Sequence, residues 1–263
     1  KLAPSFRNAK EMFERIETLM PQGPPWMSEK FVLPDAPNEP QTLWYRDIVE
    51  CAAFLYGNPA IQDCMNYEGL RVFEPDGKTR VYHEFMTGEI MANLQVIPTG
   101  ASPIGIIFAS DETHLTNFSG NKTAHAVYMS IANIDKASRK KYSQGTWIPI
   151  AKIPVSKFAK TQFQTKTEQE RMPGLLQSIS FHKCMKVILR PLCDPVSHWH
   201  GQIMADPHGN LRRCLCFLVA WIADLKEQCL IAGVASNSCP KCFSDSTEFE
   251  CAEASDRRTG QST

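Results

Sequence analysis

The chain has 263 residues, of which 43% are hydrophobic, 10% aromatic and 21% charged, an ordinary globular composition that excludes wholesale disorder. Its 14 Gly and 18 Pro follow no short period, which excludes collagen-like repeats, and 28 Lys and Arg balance 28 Asp and Glu, which argues against a strongly basic protein that coats DNA. The longest apolar run, Leu215 to Ala223, has nine residues against the ~20 that a membrane span requires, and the amphipathic N-terminus lacks the apolar stretch of a signal peptide.

Met12, Phe13, Ile16, Leu19 and Met20 recur at helical spacing and predict a first helix, stopped by Pro21. Six Pro between positions 21 and 40 predict a linker or strap rather than a packed element. Leu43, Trp44, Ile48, Val49, Ala52 and Leu55 predict a second helix over 42–56, ended by Gly57-Asn58-Pro59. Arg71 to Tyr82 reads as a short hairpin around Pro75-Asp76-Gly77-Lys78. Ile104 to Ala109 is an apolar run suited to a strand buried on both faces. Val127, Met129 and Ile131 alternate as a second strand. Thr146 to Val155 predicts a third, in which Pro149 and Pro154 require an edge position or bulges. A helix follows over Leu175 to Leu192. In Gly201 to Ala223 a turn at Pro207-His208-Gly209-Asn210 precedes an apolar run that fits a strand or a helix. After Cys242 the chain is rich in Ser, Thr and acids, and is expected to lack order. The pattern is that of a mixed α/β or α+β fold.

Ten cysteines without an export signal point to a reducing compartment. Cys239-Pro-Lys-Cys242 has the spacing of half a zinc site, with Cys229, Cys251, His182, His198 and His200 as the available partners. A zinc knuckle and a pair of free thiols fit that spacing equally well. Asp111 directly follows the Ile104–Ala109 strand, and Asp224 closes the run Leu215–Ala223. Each suits a turn cap; together, converging on one sheet edge, they suit Mg²⁺, which takes one or two carboxylates plus phosphate and water oxygens. Asp206, after Ile203-Met204-Ala205, competes for the second position. Between Lys136 and Lys166 there are eight basic residues and no acid. Lys136, Arg139, Lys140, Lys141, Lys152 and Lys157 form either a solvated edge or a phosphate-contacting surface, with Trp147 and Tyr142 as aromatic candidates for base stacking or for the core.

The segment from Ser110 to Lys122, SDETHLTNFSGNK, together with Val127–Lys136 and Ile150–Phe158, resembles the Plavaka family of fungal DNA transposases, relatives of the CACTA group. That family typically shows S-D-K-T-x-L-T-x-F-S-G-x-K, V-Y-L-T-I-G-N-I-x-K and G-Y-L-P-V-x-K-L. Gly23-Pro-Pro-Trp26, Leu43-Trp44-Tyr45-Arg46-Asp47-Ile48-Val49-Glu50-Cys51, Phe181-His182-Lys183-Cys184-Met185 and Ala220 to Cys242 are similar to further family motifs in the same order, so the resemblance spans roughly 23–243. It implies an N-terminal helical and Pro-rich extension over 1–98, a ribonuclease-H-like core over 99–243, and a tail over 244–263. It also implies an Asp-Asp-Glu site holding Mg²⁺ or Mn²⁺, in which Asp111 falls on the first acid and Asp224 on the second. The implied partner is DNA at transposon ends, the implied location is the nucleus, and a homo-oligomer is left open. Departures include Glu112 in place of the family's Lys, His125-Ala126 in place of its W-P, and Asp224-Leu225-Lys226-Glu227-Gln228 in place of D-Y-P-E-Q. The third acid of the family lies beyond the C-P-x-C motif, and none of Glu248, Glu250 or Glu253 is assigned to it. Impaired strand cleavage is therefore expected, with a non-catalytic DNA- or protein-binding module as the alternative.

Overall fold

Strand formation in the centre of the chain follows from side chains that are buried wherever they point. Ile104, Ile106, Ile107 and Phe108 are all buried, which only a strand covered on both faces accommodates. The computed structural model describes residues 6–19, 23–94, 100–114, 123–194, 200–251 and 255–259. Its elements in chain order are α1 (Ala9–Leu19), β1 (Met27–Leu33), β2 (Ala36–Tyr45), α2 (Ile48–Tyr56), β3 (Val72–Phe73), β4 (Arg80–Val81), α3 (Glu89–Leu94), β5 (Ala101–His114) and β6 (Thr123–Ile131). They continue with α4 (Lys136–Arg139), β7 (Ile148–Ile153), α5 (Lys166–Ile188), α6 (Arg190–Cys193), β8 (Gln202–Ala205), β9 (Leu211–Ile222) and α7 (Leu225–Ala232).

Seven strands form one sheet in the order β1-β2-β7-β6-β5-β9-β8, and β3 and β4 form a separate hairpin. Every neighbour in the large sheet is antiparallel except β5 and β9, which run parallel. The fold is thus mixed α+β around a mixed sheet. One sheet face packs on α2 and α5, which contribute Ile48, Cys51, Ala52, Leu55, Leu176, Phe181, Cys184 and Ile188 to the core. The motif Phe181–Met185 supplies three of α5's core residues, Phe181, Cys184 and Met185, and leaves His182 and Lys183 exposed.

The region 21–40 corrects the expectation of a strap, since β1 and β2 pair as a hairpin there. Pro34 sits in the connection, while Pro37 and Pro40 fall where the β1–β2 register is irregular, between the pairs Phe31↔Gln41 and Leu33↔Ala36. Their missing N–H groups are tolerated because β7 pairs with β2 only at Trp44 and Tyr45. The second helix is also shorter than expected. Residues 42–45 belong to β2, and α2 begins after Asp47, whose carboxylate accepts from the N–H groups of Val49 and Glu50 at 2.8 and 3.0 Å. β7 is an inner strand, and Pro149 is accommodated by a register shift against Val127/Tyr128, the bulge rather than the edge solution. The open choice for Gly201–Ala223 resolves to a hairpin, β8 and β9.

Asp206 makes the β8–β9 turn. The backbone N–H groups of His208 and Asn210 donate to Oδ1 at 3.0 and 2.9 Å, and Arg212 Nε donates to Oδ2 at 2.8 Å. Burial opposes the charge, but the bonds from Arg212, Asn210 and His208 outweigh it and hold the carboxyl at about 2. A depressed carboxylate stabilises the fold above its unfolded value of about 4 and loses that contribution as pH falls through the folded value. The difference in Tm between the wild type and Asp206→Asn is therefore expected to stay constant from neutral pH to about 4 and to narrow on further acidification. A difference that persists unchanged at pH about 2 would show that the charged carboxylate does not hold this turn.

Candidate active site

The parallel register of β5 and β9 brings the two sequence-predicted acids to the same end of the sheet. The last register pair is Ala109↔Ile222; two residues further along each strand direction lie Asp111 and Asp224. Adjacent strands run about 4.8 Å apart, so Asp111, still paired with Ala126 inside β5, lies beside the place where β9 ends and the chain turns at Asp224. Both aspartates are exposed, and both line one cavity of about 510 Å³ with Glu112, His125, Gln177, Lys226 and Glu227 among its other wall residues.

Each carboxylate has a local partner. Thr113 Oγ1 donates to Asp111 Oδ2 at 3.2 Å. Asp224 caps α7, its Oδ1 accepting from Glu227 N–H at 2.7 Å. Turn capping and a role in the cavity are therefore compatible at Asp224, because capping uses one carboxylate oxygen. Asp206, the competing second acid, sits at the opposite end of β9 and is engaged in its own turn.

Behind the aspartates lies a buried polar network that sequence reading missed. Glu227 Oε1 accepts from the hydroxyl of Ser110 and lies 2.9 Å from His125 Nε2. Ser110 Oγ in turn accepts from Trp221 Nε1 at 2.7 Å. All of Ser110, His125 and Glu227 are buried. The His125 ring stacks on Phe181 of α5, with centroids 5.4 Å apart and planes 18° from parallel, and Trp221 meets Phe108 edge-on at 5.4 Å. One carboxylate thus joins β5, β6 and α7 inside an aromatic shell. The signal available in the sequence was that Glu227 stands three residues after Asp224, the third position of a helix that Asp224 caps, and that His125 replaces an apolar family residue at an inward strand position.

Among the described residues, no group of three or more His, Cys, Asp or Glu is arranged to hold a metal ion. Asp111 and Asp224 still offer the hard oxygen donors that Mg²⁺ or Mn²⁺ takes, with substrate phosphate and water completing the shell. Cys239 and Cys242 share a separate cavity with Cys251, Ser244 and Arg258. Hydrogen bonding of Cys242 to the Ser244 side chain and backbone, and to Cys239, lowers its thiol below the ordinary range. Cys229 is buried nearby, its thiol donating to the Ser238 carbonyl; His198 lies outside the described residues. All ten cysteines are free, and burial pushes Cys51 and Cys184 up to about 12. The chain beyond Cys242, expected to lack order, folds back at 255–259, where Cys242 bridges to Arg257 and Arg258 Nε donates to the carbonyls of Cys239 and Cys242.

The basic segment divides in two. Arg139 is turned inward: its guanidinium donates to the carbonyls of Ile131 and Ile134 and to Glu84, 3.2 Å away. Trp147 Nε1 donates to the Arg139 carbonyl, so this tryptophan secures the loop, and the Tyr142 side chain lies outside the described part of the structure. Lys136 is exposed but reaches the His83 carbonyl. Lys140, Lys141, Lys152 and Lys157 are exposed.

Removing Glu227 strands the hydroxyl of Ser110 and the ring of His125 in the interior. Glu227→Ala is expected to cost about 2–4 kcal/mol in urea unfolding, and Glu227→Gln, which keeps an acceptor oxygen, distinctly less. A loss under about 0.5 kcal/mol for the alanine variant would mean that the network carries no stability.

A family model described as Plavaka transposase matches residues 6–263, nearly the whole chain. No curated protein and no solved structure matches the chain.

Proposed function

The chain belongs to the Plavaka transposase family, and from that premise we propose that it acts on DNA as a metal-dependent strand-cleaving protein of the transposase type, with Asp111 and Asp224 as its paired acids. The observation that carries this reading is the parallel register, which sets Asp111 on β5 beside the C-terminal end of β9, where Asp224 follows, with both aspartates on one cavity. The sheet supports the ribonuclease-H-like assignment. An antiparallel β5-β6-β7 meander is followed by α5 and then by β9 returning parallel beside β5, an order in which the central strand and its parallel neighbour deliver their C-terminal ends together.

Mg²⁺ or Mn²⁺, when bound, supplies Lewis-acid stabilisation for an in-line displacement at phosphorus. Asp111 and Asp224 are the residues that would hold it. Lys226, exposed on the same cavity wall, offers a positive charge to a phosphate. Lys140, Lys141, Lys152 and Lys157 provide exposed charge for the DNA backbone. A second reading, a DNA-binding module without cleavage, is favoured by one observation: Glu112 and Glu227 line the same cavity, but among the described residues no three acids are arranged to hold a metal ion. The spacing of Cys239 and Cys242 supports half of a zinc knuckle, and Cys251 lines the same cavity, although the three are not drawn together as a ligand group.

Nicking of supercoiled DNA with Mg²⁺ or Mn²⁺ separates the readings. The wild type is expected to nick, and Asp111→Ala to lose about 100-fold or more of the rate. Equal nicking by both would remove Asp111 from the chemistry, and binding without nicking by the wild type would establish the module. For the cysteines, about one zinc per chain is expected in the purified protein and none in Cys239→Ser; identical metal content in both would reject the knuckle.

A further inference from the structure

On the sheet face turned away from α5, Phe85 covers β5 at Gly105, and Ile107 and Ser130 are buried; the part from β1 and β2 across β7 to Tyr128 and Asp111 is uncovered, and its composition is unlike that of a surface waiting for a helix. Cross-strand partners share a face, so the registers Ser28↔Trp44, Trp44↔Lys152, Lys152↔Ala126 and Ala126↔Asp111 lay one continuous row across five strands. The next row holds Pro149, Tyr128, Ala109 and Ile222. Trp44 is 48% and Tyr128 45% exposed, large rings uncovered on a platform kept flat by Ala126 and Ala109. Trp26 lies beside them, its ring within 4.5 Å of the Arg46 guanidinium and 5.1 Å of Lys152 Nζ. Lys30, on the same face through its pairing with Thr42, is exposed as well. At the described strand positions of this face the only acid is Asp111, at the end of the row.

We propose that this face is the track of an unpaired DNA strand, whose bases stack on Trp44 and Tyr128, whose phosphates meet Lys152, Arg46 and Lys30, and which leads to Asp111. Aromatic rings interleaved with cations form the surface that binds single strands without sequence preference, and the charge is complementary to phosphodiester and unlike that of an apolar peptide groove. From Trp44 to Asp111 is three strand spacings, about 14 Å. The proposal rests on the transposase reading for the choice of DNA, but it assigns a surface that the paired acids do not include.

The test is fluorescence anisotropy of the full chain as purified with a labelled oligothymidylate of about 12 nucleotides, and with a duplex of the same length, at about 0.1 M salt without added Mg²⁺ or Mn²⁺. Without divalent metal no cleavage intervenes, so loss of nicking and loss of the track are read separately. The wild type is expected to bind the single strand more tightly than the duplex. Trp44→Ala and Tyr128→Ala are each expected to weaken single-strand binding about 5-fold or more, on the scale of one lost stacking contact, whereas Trp44→Phe retains most of it. Tyr82→Ala, an equally exposed aromatic outside this sheet, is expected to bind as the wild type does. Thermal melts confirm that the variants compared are folded. Equal binding by Trp44→Ala and the wild type, no binding of the oligomer, or a preference for duplex that none of these substitutions alters would overturn the proposal. An equal loss in Tyr82→Ala would do so too.

Discussion

A single buried carboxylate fixes the geometry on which the candidate site depends. Glu227 gathers the hydroxyl of Ser110, one residue before Asp111, and the ring of His125 on the neighbouring strand. Its own backbone N–H is held by Asp224. Asp224 thus caps the turn that carries Glu227, and Asp111 follows directly on its partner Ser110, so the strand and helix that carry the two aspartates are tied to one interior group. A buried acid is costly unless its partners are in place; here the acid and its partners come from three elements, so the cost of separating any one of them falls on all.

The sequence exposed most of the sheet because most of it is written in burial. The strand of Ile104–Ala109, the alternation of Val127, Met129 and Ile131, and the turn at Pro207–Asn210 are all present as read. The Pro-rich segment was misread because Pro is judged by the hydrogen bond it cannot make, and that loss is negligible where the ladder is interrupted, as it is at Pro37 and Pro40 between the pairs Leu33↔Ala36 and Phe31↔Gln41. The helix expected over 42–56 failed at its start for a different reason. Leu43 and Trp44 fit a helical stripe and a strand alternation equally, and only Asp47, the cap, separates the two. At the site, the aspartates were visible as acids that end apolar runs. Glu227 and His125 were not, because a buried hydrogen-bonding residue has no local pattern: the partners of Glu227 lie 117 and 102 residues away in the chain.

The two sides of the sheet divide the labour. The side on α2 and α5 is sealed by aliphatic and aromatic packing and holds the polar network at one end. The other side presents rings and cations and ends in an acid. Trp26 and Trp44 belong to two of the motifs by which the chain resembles its family, Gly23–Trp26 and Leu43–Cys51, and the fold sets them on the same patch through Arg46 and Lys152. The N-terminal hairpin is therefore a part of the seven-stranded sheet.

The parallel pairing of β5 with β9 also has a cost in time. The paired residues Ala109 and Ile222 are more than a hundred positions apart, and contacts of such long range form late, after the entropy of closing the intervening loop has been met. Until β9 docks, one edge of β5 presents unpaired backbone along one of the most apolar stretches of the protein, open to association with other chains. A nascent or truncated chain lacking β9 would hold Asp111 with no strand on that side, so completion of the candidate site coincides with the closing of that edge.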